Sequence, residues 1–141
     1  MKINTDAVVS SNGISAARGV GRNHDGDWLF GFTHLLGEAG VLESGIWGIY
    51  DGLFLAKEKN IQQVMIKSDS HEAVALLSND TPAAHPLESI IKACKELSLC
   101  FRCCNFLVIR REANLVADGM AKLALSCNRG CVEVEIPPAI C

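Results

Sequence analysis

Apolar and polar residues alternate along the first third of the chain with the period of a strand. The run Ile3-Asn4-Thr5-Asp6-Ala7-Val8 is such a segment, and the alternation predicts strands over 2–9, about 16–22 and from Trp28 through Thr33. Ser10-Ser11-Asn12-Gly13 carries an Asn-Gly pair suited to a hairpin, and Asp25-Gly26 marks a second tight turn. Neither gap has room for a helix, so these strands pair antiparallel. From about residue 42 the period changes. Leu42, Ile46, Ile49, Leu53 and Ala56 recur at spacings of three and four and form one apolar helix face. A strand over 63–68, a short helix from Ser70 to Leu77 and a loop holding Pro82 and Pro86 follow, then a helix over 87–99, a strand over 104–109 and a helix over 114–125. The order βββαβααβα joins an antiparallel meander to parallel crossovers, which predicts an α/β fold with a mixed sheet. The domain is expected to span 1–126. Residues 127–141, with Pro137-Pro138, read as a C-terminal tail, a peripheral strand or disordered.

Composition narrows the class. Hydrophobic residues make up 49% and charged residues 21%, a soluble globular balance. No apolar run approaches the roughly 18 residues of a membrane span, so no membrane partner is expected. The chain enters its first strand without a basic region and apolar stretch of the secretory kind. An intracellular protein, nuclear or cytoplasmic, is therefore expected, or a domain cut from a longer one. The net charge of -3 lacks the overall basic footprint common in phosphate binders. Lys92 and Lys95 share one predicted helix and Arg110-Arg111 follow a predicted strand; a solvated face is the expectation and a local basic stripe the alternative. Seven cysteines, an odd number, suit reduced thiols. Cys100, Cys103, Cys127 and Cys131 stand in two pairs with zinc-like spacing, but a strand and a helix fill the gap between the pairs. Gly19-Val20-Gly21 precedes a turn rather than a helix and is no dinucleotide fingerprint.

Three aspartates stand out. Asp6 is flanked by strand formers, where a carboxylate is depleted and its burial costs several kcal/mol unless it is paired or coordinated. Asp69 ends the run Val64-Met65-Ile66-Lys67-Ser68-Asp69. It has two readings: the cap of the next helix, because Asp69-Ser70-His71-Glu72 matches a capping box, or a ligand at the carboxyl end of a strand. Asp118, in the first turn of the last predicted helix, would complement the helix dipole if it stood alone. Carboxylates gathered from separate elements repel one another and need a cation. The expectation is a divalent-metal site, and the chemistry that favours one is phosphoryl transfer.

Asn4-Thr5-Asp6, Trp28-Leu29-Phe30-Gly31-Phe32, Ile66-Lys67-Ser68-Asp69-Ser70 and Arg111-Glu112-Ala113-Asn114-Leu115-Val116-Ala117-Asp118 resemble, in order and spacing, the ribonuclease H domains of the reverse-transcriptase-like group, abundant in plant genomes and retroelement-derived sequences. The resemblance covers roughly residues 2–125 and implies a five-stranded mixed sheet with flanking helices. It further implies Mg²⁺, with Mn²⁺ as a substitute, bound by four carboxylates for endonucleolytic hydrolysis of the RNA strand of RNA–DNA hybrids. Asp6, Asp69 and Asp118 match three of those carboxylates, as catalytic and metal-binding residues. The fourth is a glutamate on the first helix, and Leu42-Glu43-Ser44-Gly45-Ile46-Trp47 places Gly45 there. Glu43 is a weak candidate to replace it. Two residues are about 200° of helix rotation, which sets Glu43 on the side of Trp47, Tyr50 and Phe54. The group's glycine after the first aspartate is Ala7 here, and His85, in a loop, is expected to be exposed to solvent.

Three functions are therefore weighed. The first is a hybrid-cleaving ribonuclease weakened at Gly45. The second is a decayed domain that binds nucleic acid or another partner without cleavage. The third is a poorly folding chain without function, since Gly45, Gly48 and Gly52 in one helix each cost about 1 kcal/mol relative to Ala.

Overall fold

The first three strands form the predicted meander in the computed structural model of the chain, which describes residues 1–79 and 84–116. Strand β1 (Lys2–Val9) pairs antiparallel with β2 (Ser15–Arg22), and β2 with β3 (Trp28–Gly37). Gly13 supplies the φ of 84° that closes the first turn, beside a Ser10 N–H donated to the Ile14 carbonyl at 2.8 Å. In the second turn the Asn23 side-chain oxygen accepts from the Asp25 and Asp27 N–H groups at 3.0 and 2.9 Å. This is an Asx turn built by the side chain that precedes Asp25-Gly26.

Helix α1 (Val41–Glu58), β4 (Gln63–Ser68), α2 (His71–Ser78), α3 (Glu88–Ser98) and β5 (Cys103–Val108) follow, and a 3₁₀ turn covers Arg111–Ala113. The sheet runs β3-β2-β1-β4-β5, with β1, β4 and β5 parallel. This is the mixed α/β sheet that the order of elements predicts. Val116 is the last described residue; the rest of the predicted last helix, with Asp118, and the tail over 127–141 lie outside the described residues, as does Pro82. His85 departs from expectation. It is half-buried, and its Nδ1 accepts the Leu87 N–H at 3.0 Å ahead of α3.

β1 is the middle strand, and its side chains at Ile3, Asn4 and Thr5 alternate between two covered faces. Ile3 and Thr5 meet α1, whose Ile46, Ile49 and Leu53 are fully buried with Phe30, Phe32 and Ile66. Glycines permit this close seating. A Cβ at Gly52 would come within 3.0 Å of the Ile3 side chain, and one at Gly48 within 3.5 Å of the Ala17 and Thr5 side chains. On β2, a Cβ at Gly19 or Gly21 would stand 2.4 or 2.3 Å from the ring of Phe32 or Phe30. Gly45 differs: the nearest atom its Cβ would meet is Ser70 Cβ, at 3.9 Å. Two of the three helix glycines thus offset their propensity cost by packing, and the third does not.

The same face holds a buried polar pair. His34 continues the inward alternation of Phe30 and Phe32, and its Nδ1 lies 2.7 Å from the Asp51 carboxylate of α1. The two side chains are 1% and 0% exposed, so each removes the other's desolvation cost. Trp47 sets its ring edge-on to His34 at 5.9 Å. Beside them Cys94 is buried; burial, then the Asp51 charge, push its thiol far up, and it remains an S–H donor to the Ile46 carbonyl at 3.7 Å.

Urea unfolding should separate the two kinds of glycine. Gly45→Ala is expected to stabilise the fold by about 0.5–1 kcal/mol through lower backbone entropy. Gly21→Ala is expected to cost about 1–3 kcal/mol, because the Phe30 ring must move.

Candidate functional site

β1 and β4 run parallel in register, Thr5 opposite Ser68, so Asp6 and Asp69 come next on neighbouring strands. Their carboxylates reach the carboxyl ends of parallel strands, where α/β sheets bind ligands. Both line an open cavity of about 320 Å³ with Ala7, Val8, Arg18, Arg111 and Asn114. Two of the three predicted aspartates thus share one site; Asp118 lies outside the described residues.

Asp69 is free to face the cavity because a neighbour caps the helix. Ser70 is the N-cap of α2, and its Oγ accepts the Ala73 N–H at 3.2 Å. Ser68 Oγ in turn accepts the Ser70 N–H at 3.1 Å. The capping-box reading of Asp69 is therefore incorrect: the cap is one residue later, and the position that would return the bond is Ala73 rather than a glutamate. Arg111 Nε donates to Asp69 Oδ2 at 3.3 Å, with the arginine side chain 84% exposed. That is a loose, solvated tie.

Asp6 is held differently. Arg18 stands directly across the β1–β2 pair from it. Arg18 Nε donates to Oδ1 at 3.0 Å and Nη2 to Oδ2 at 2.7 Å. The two side chains are only 28% and 17% exposed, so this bidentate, charge-assisted pair is shielded from competing water. A carboxylate on a central strand needs a cation, and here the neighbouring strand provides one. Sequence reasoning missed Arg18. Its signal, a cross-strand neighbour across a two-residue-period hairpin, becomes legible once the Asn12-Gly13 turn fixes the register.

Asn114 joins the site to the end of the described chain. Its Nδ2 donates to the Thr5 carbonyl at 2.9 Å, and its Oδ1 accepts from Asn4 Nδ2 at 3.1 Å. Arg22 Nη2 donates to the Leu115 carbonyl at 3.2 Å on the same side of the sheet. This asparagine belongs to the segment that carries the family resemblance. Its role here is to hold the chain against β1 just before Asp118.

Glu43 is not part of the site. It lines a separate groove between α1 and α3 with Trp47, Tyr50, Pro86 and Leu87, as the helix rotation predicts. Gly45 is buried beside Ser70, next to Asp69, with space for a side chain. Cys100 and Cys103 are exposed free thiols, while Cys104 is pushed up to about 11 by burial and then by Cys103; Cys127 and Cys131 lie outside the described residues. Among the described residues no three His, Cys, Asp or Glu side chains gather as a metal site.

Among the described residues the candidate metal ligands are Asp6 and Asp69, and Arg18 already holds both oxygens of the first. Carboxylate oxygens are the right chemistry for Mg²⁺, but a cation on Asp6 at the roughly 2.1 Å that Mg²⁺ requires would crowd the Arg18 guanidinium. Gly45 contributes no oxygen from its side chain.

Residues 4–124 match the model of the family described as reverse transcriptase-like. The chain belongs to that family. It is 32% identical over 139 residues to an Arabidopsis thaliana protein named as a ribonuclease H protein, covering 98% of this chain and 22% of that one. It thus spans about a fifth of that relative. The N-terminal RNase H domain of a Mycobacterium tuberculosis protein, solved as a fusion with maltose-binding protein, superposes with a TM-score of 0.75 at 23% identity, over 83% of this chain and 92% of that one. RNase H1 of Halobacterium salinarum gives 0.76 at 20% identity, over 89% and 97%. The fold is that of ribonuclease H domains.

Asn114→Ala is expected to lower unfolding stability by about 1–3 kcal/mol, since it leaves part-buried polar groups of β1 unpaired. Arg111→Ala is expected to cost no more than about 1 kcal/mol, because its ion pair is exposed. Urea titration of the two variants checks the contrast.

Proposed function

We propose that this ribonuclease H-type domain engages RNA–DNA hybrids at the face where β1 and β4 end, and that its hydrolysis of the RNA strand is strongly reduced. The observation that carries the reading is the Asp6–Asp69 pair on adjacent parallel strands, lining one open cavity in a ribonuclease H fold. Two solved structures of similar fold are described as complexes with RNA/DNA hybrid: LC11-RNase H1, with a TM-score of 0.64 at 21% identity, and a foamy viral protease-reverse transcriptase, also 0.64 at 15% identity. A hybrid would be read by its shape, its 2′-hydroxyls and its phosphates rather than by base sequence. Arg110 and Arg111, both exposed, give the acidic chain a local cationic edge beside the cavity.

Gly45 and the Asp6–Arg18 pair both favour binding with little cleavage. A second reading, residual Mg²⁺- or Mn²⁺-dependent endonucleolytic cleavage, is favoured by Asp6 and Asp69 lying side by side.

Labelled-hybrid binding and cleavage, in Mg²⁺ and in Mn²⁺, separate these readings. The parent chain is expected to bind hybrid with an affinity that falls with salt, and Arg111→Ala to reduce the salt slope by about one. Cleavage that disappears in Asp69→Asn and rises in Gly45→Glu would favour the second reading. A folded parent that binds no hybrid would overturn both.

A further inference from the structure

We infer that Arg18 permanently fills the cation position at Asp6, so that this site meets nucleic acid without a divalent ion. Residues directly opposite on an antiparallel pair project from the same face, and Asp6 and Arg18 are such a pair. The guanidinium needs no rearrangement of the backbone to reach both carboxylate oxygens, which it does at 3.0 and 2.7 Å. A planar fork on a carboxylate is a geometry that a lysine or a lone ion does not reproduce.

The second aspartate supplies the contrast. Asp69 receives one 3.3 Å contact from an arginine that is 84% exposed, whereas Asp6 is gripped twice by an arginine 28% exposed. Arg111 can swing to a phosphate and leave Asp69 behind. Arg18 cannot leave without stranding a half-buried carboxylate on the central strand. The cavity's two described carboxylates are thus each balanced by an arginine, one fixed and one mobile. Gly45, beside Ser70, adds no negative charge of its own.

Arg18 is a positioning residue in this scheme. It neutralises Asp6, lowers the repulsion an approaching phosphodiester would meet, and denies the carboxylate to Mg²⁺. The claim about nucleic acid rests on the hybrid-binding reading; the claim about the cation does not.

The test is a Mn²⁺ titration by calorimetry on metal-stripped parent, Arg18→Ala and the double variant Arg18→Ala with Asp6→Asn, beside hybrid binding in EDTA and in Mg²⁺. Arg18→Ala is expected to bind Mn²⁺ about tenfold more tightly than the parent, the scale of a charged hydrogen-bonded contact, and the double variant to lose that gain. At matched ionic strength, parent hybrid affinity is expected to be no higher in Mg²⁺ than in EDTA, because Mg²⁺ acts only as a competing counterion. Equal Mn²⁺ affinity in the parent and Arg18→Ala, a gain that survives Asp6→Asn, or hybrid binding that requires Mg²⁺ would each overturn the inference. A Mn²⁺ gain in a protein that binds no hybrid would remove the hybrid reading and leave Arg18 as the cation. If Arg18→Ala fails to fold, Arg18→Gln carries the same comparison, because it keeps a polar neighbour for Asp6.

Discussion

β1 lies at the centre of the sheet, with α1 packed over one face and the segment around Asn114–Val116 over the other. Between Ile3 and Asp6 this strand is buried or nearly so, and a charge or amide placed there is costly unless it is paired. Ile3 and Thr5 meet the first face. Asn4 meets the second by pairing with Asn114, and Asp6 by pairing with Arg18. The position of the site, the identity of its charges and the anchoring of the last described segment all follow from that constraint.

Seen this way, the glycines of α1 have different reasons to exist. Gly48 and Gly52 let the helix settle onto Ala17, Thr5 and Ile3 at van der Waals distance. A larger residue would lift α1 and open the core that Ile46, Ile49 and Leu53 fill. Gly45 lies one turn nearer the helix start, where the helix has reached the edge of the cavity-bearing end of the sheet and has only Ser70 within reach. Packing does not demand a glycine there, so its propensity cost is not offset, and it leaves the helix without a side-chain oxygen at that position.

Electrostatics then separates two aspartates that look equivalent in the sequence. Asp6 stands within the sheet, opposite a residue that can be an arginine, and so acquires a fixed partner. Asp69 stands one residue past the end of β4, where Ser70 has taken over the capping of α2. It remains at the rim, lightly held by Arg111. This chain has met the charge of Asp6 from within, by an arginine on the next strand.

Periodicity alone determined the meander, the crossovers and the mixed sheet, because strand and helix patterns depend on which face each residue must bury. It also set Glu43 apart from Gly45, since rotation about a helix is fixed by the number of residues between them. Other features were decided only by tertiary structure, because they depend on contacts between segments distant in sequence. Which residue caps α2 was settled by the exact end of β4. The burial of His34 depended on Asp51 arriving from α1, 17 residues away, to meet it. Above all, the sequence showed that Asp6 needs a positive charge but not what brings it. The register between β1 and β2 made that charge Arg18.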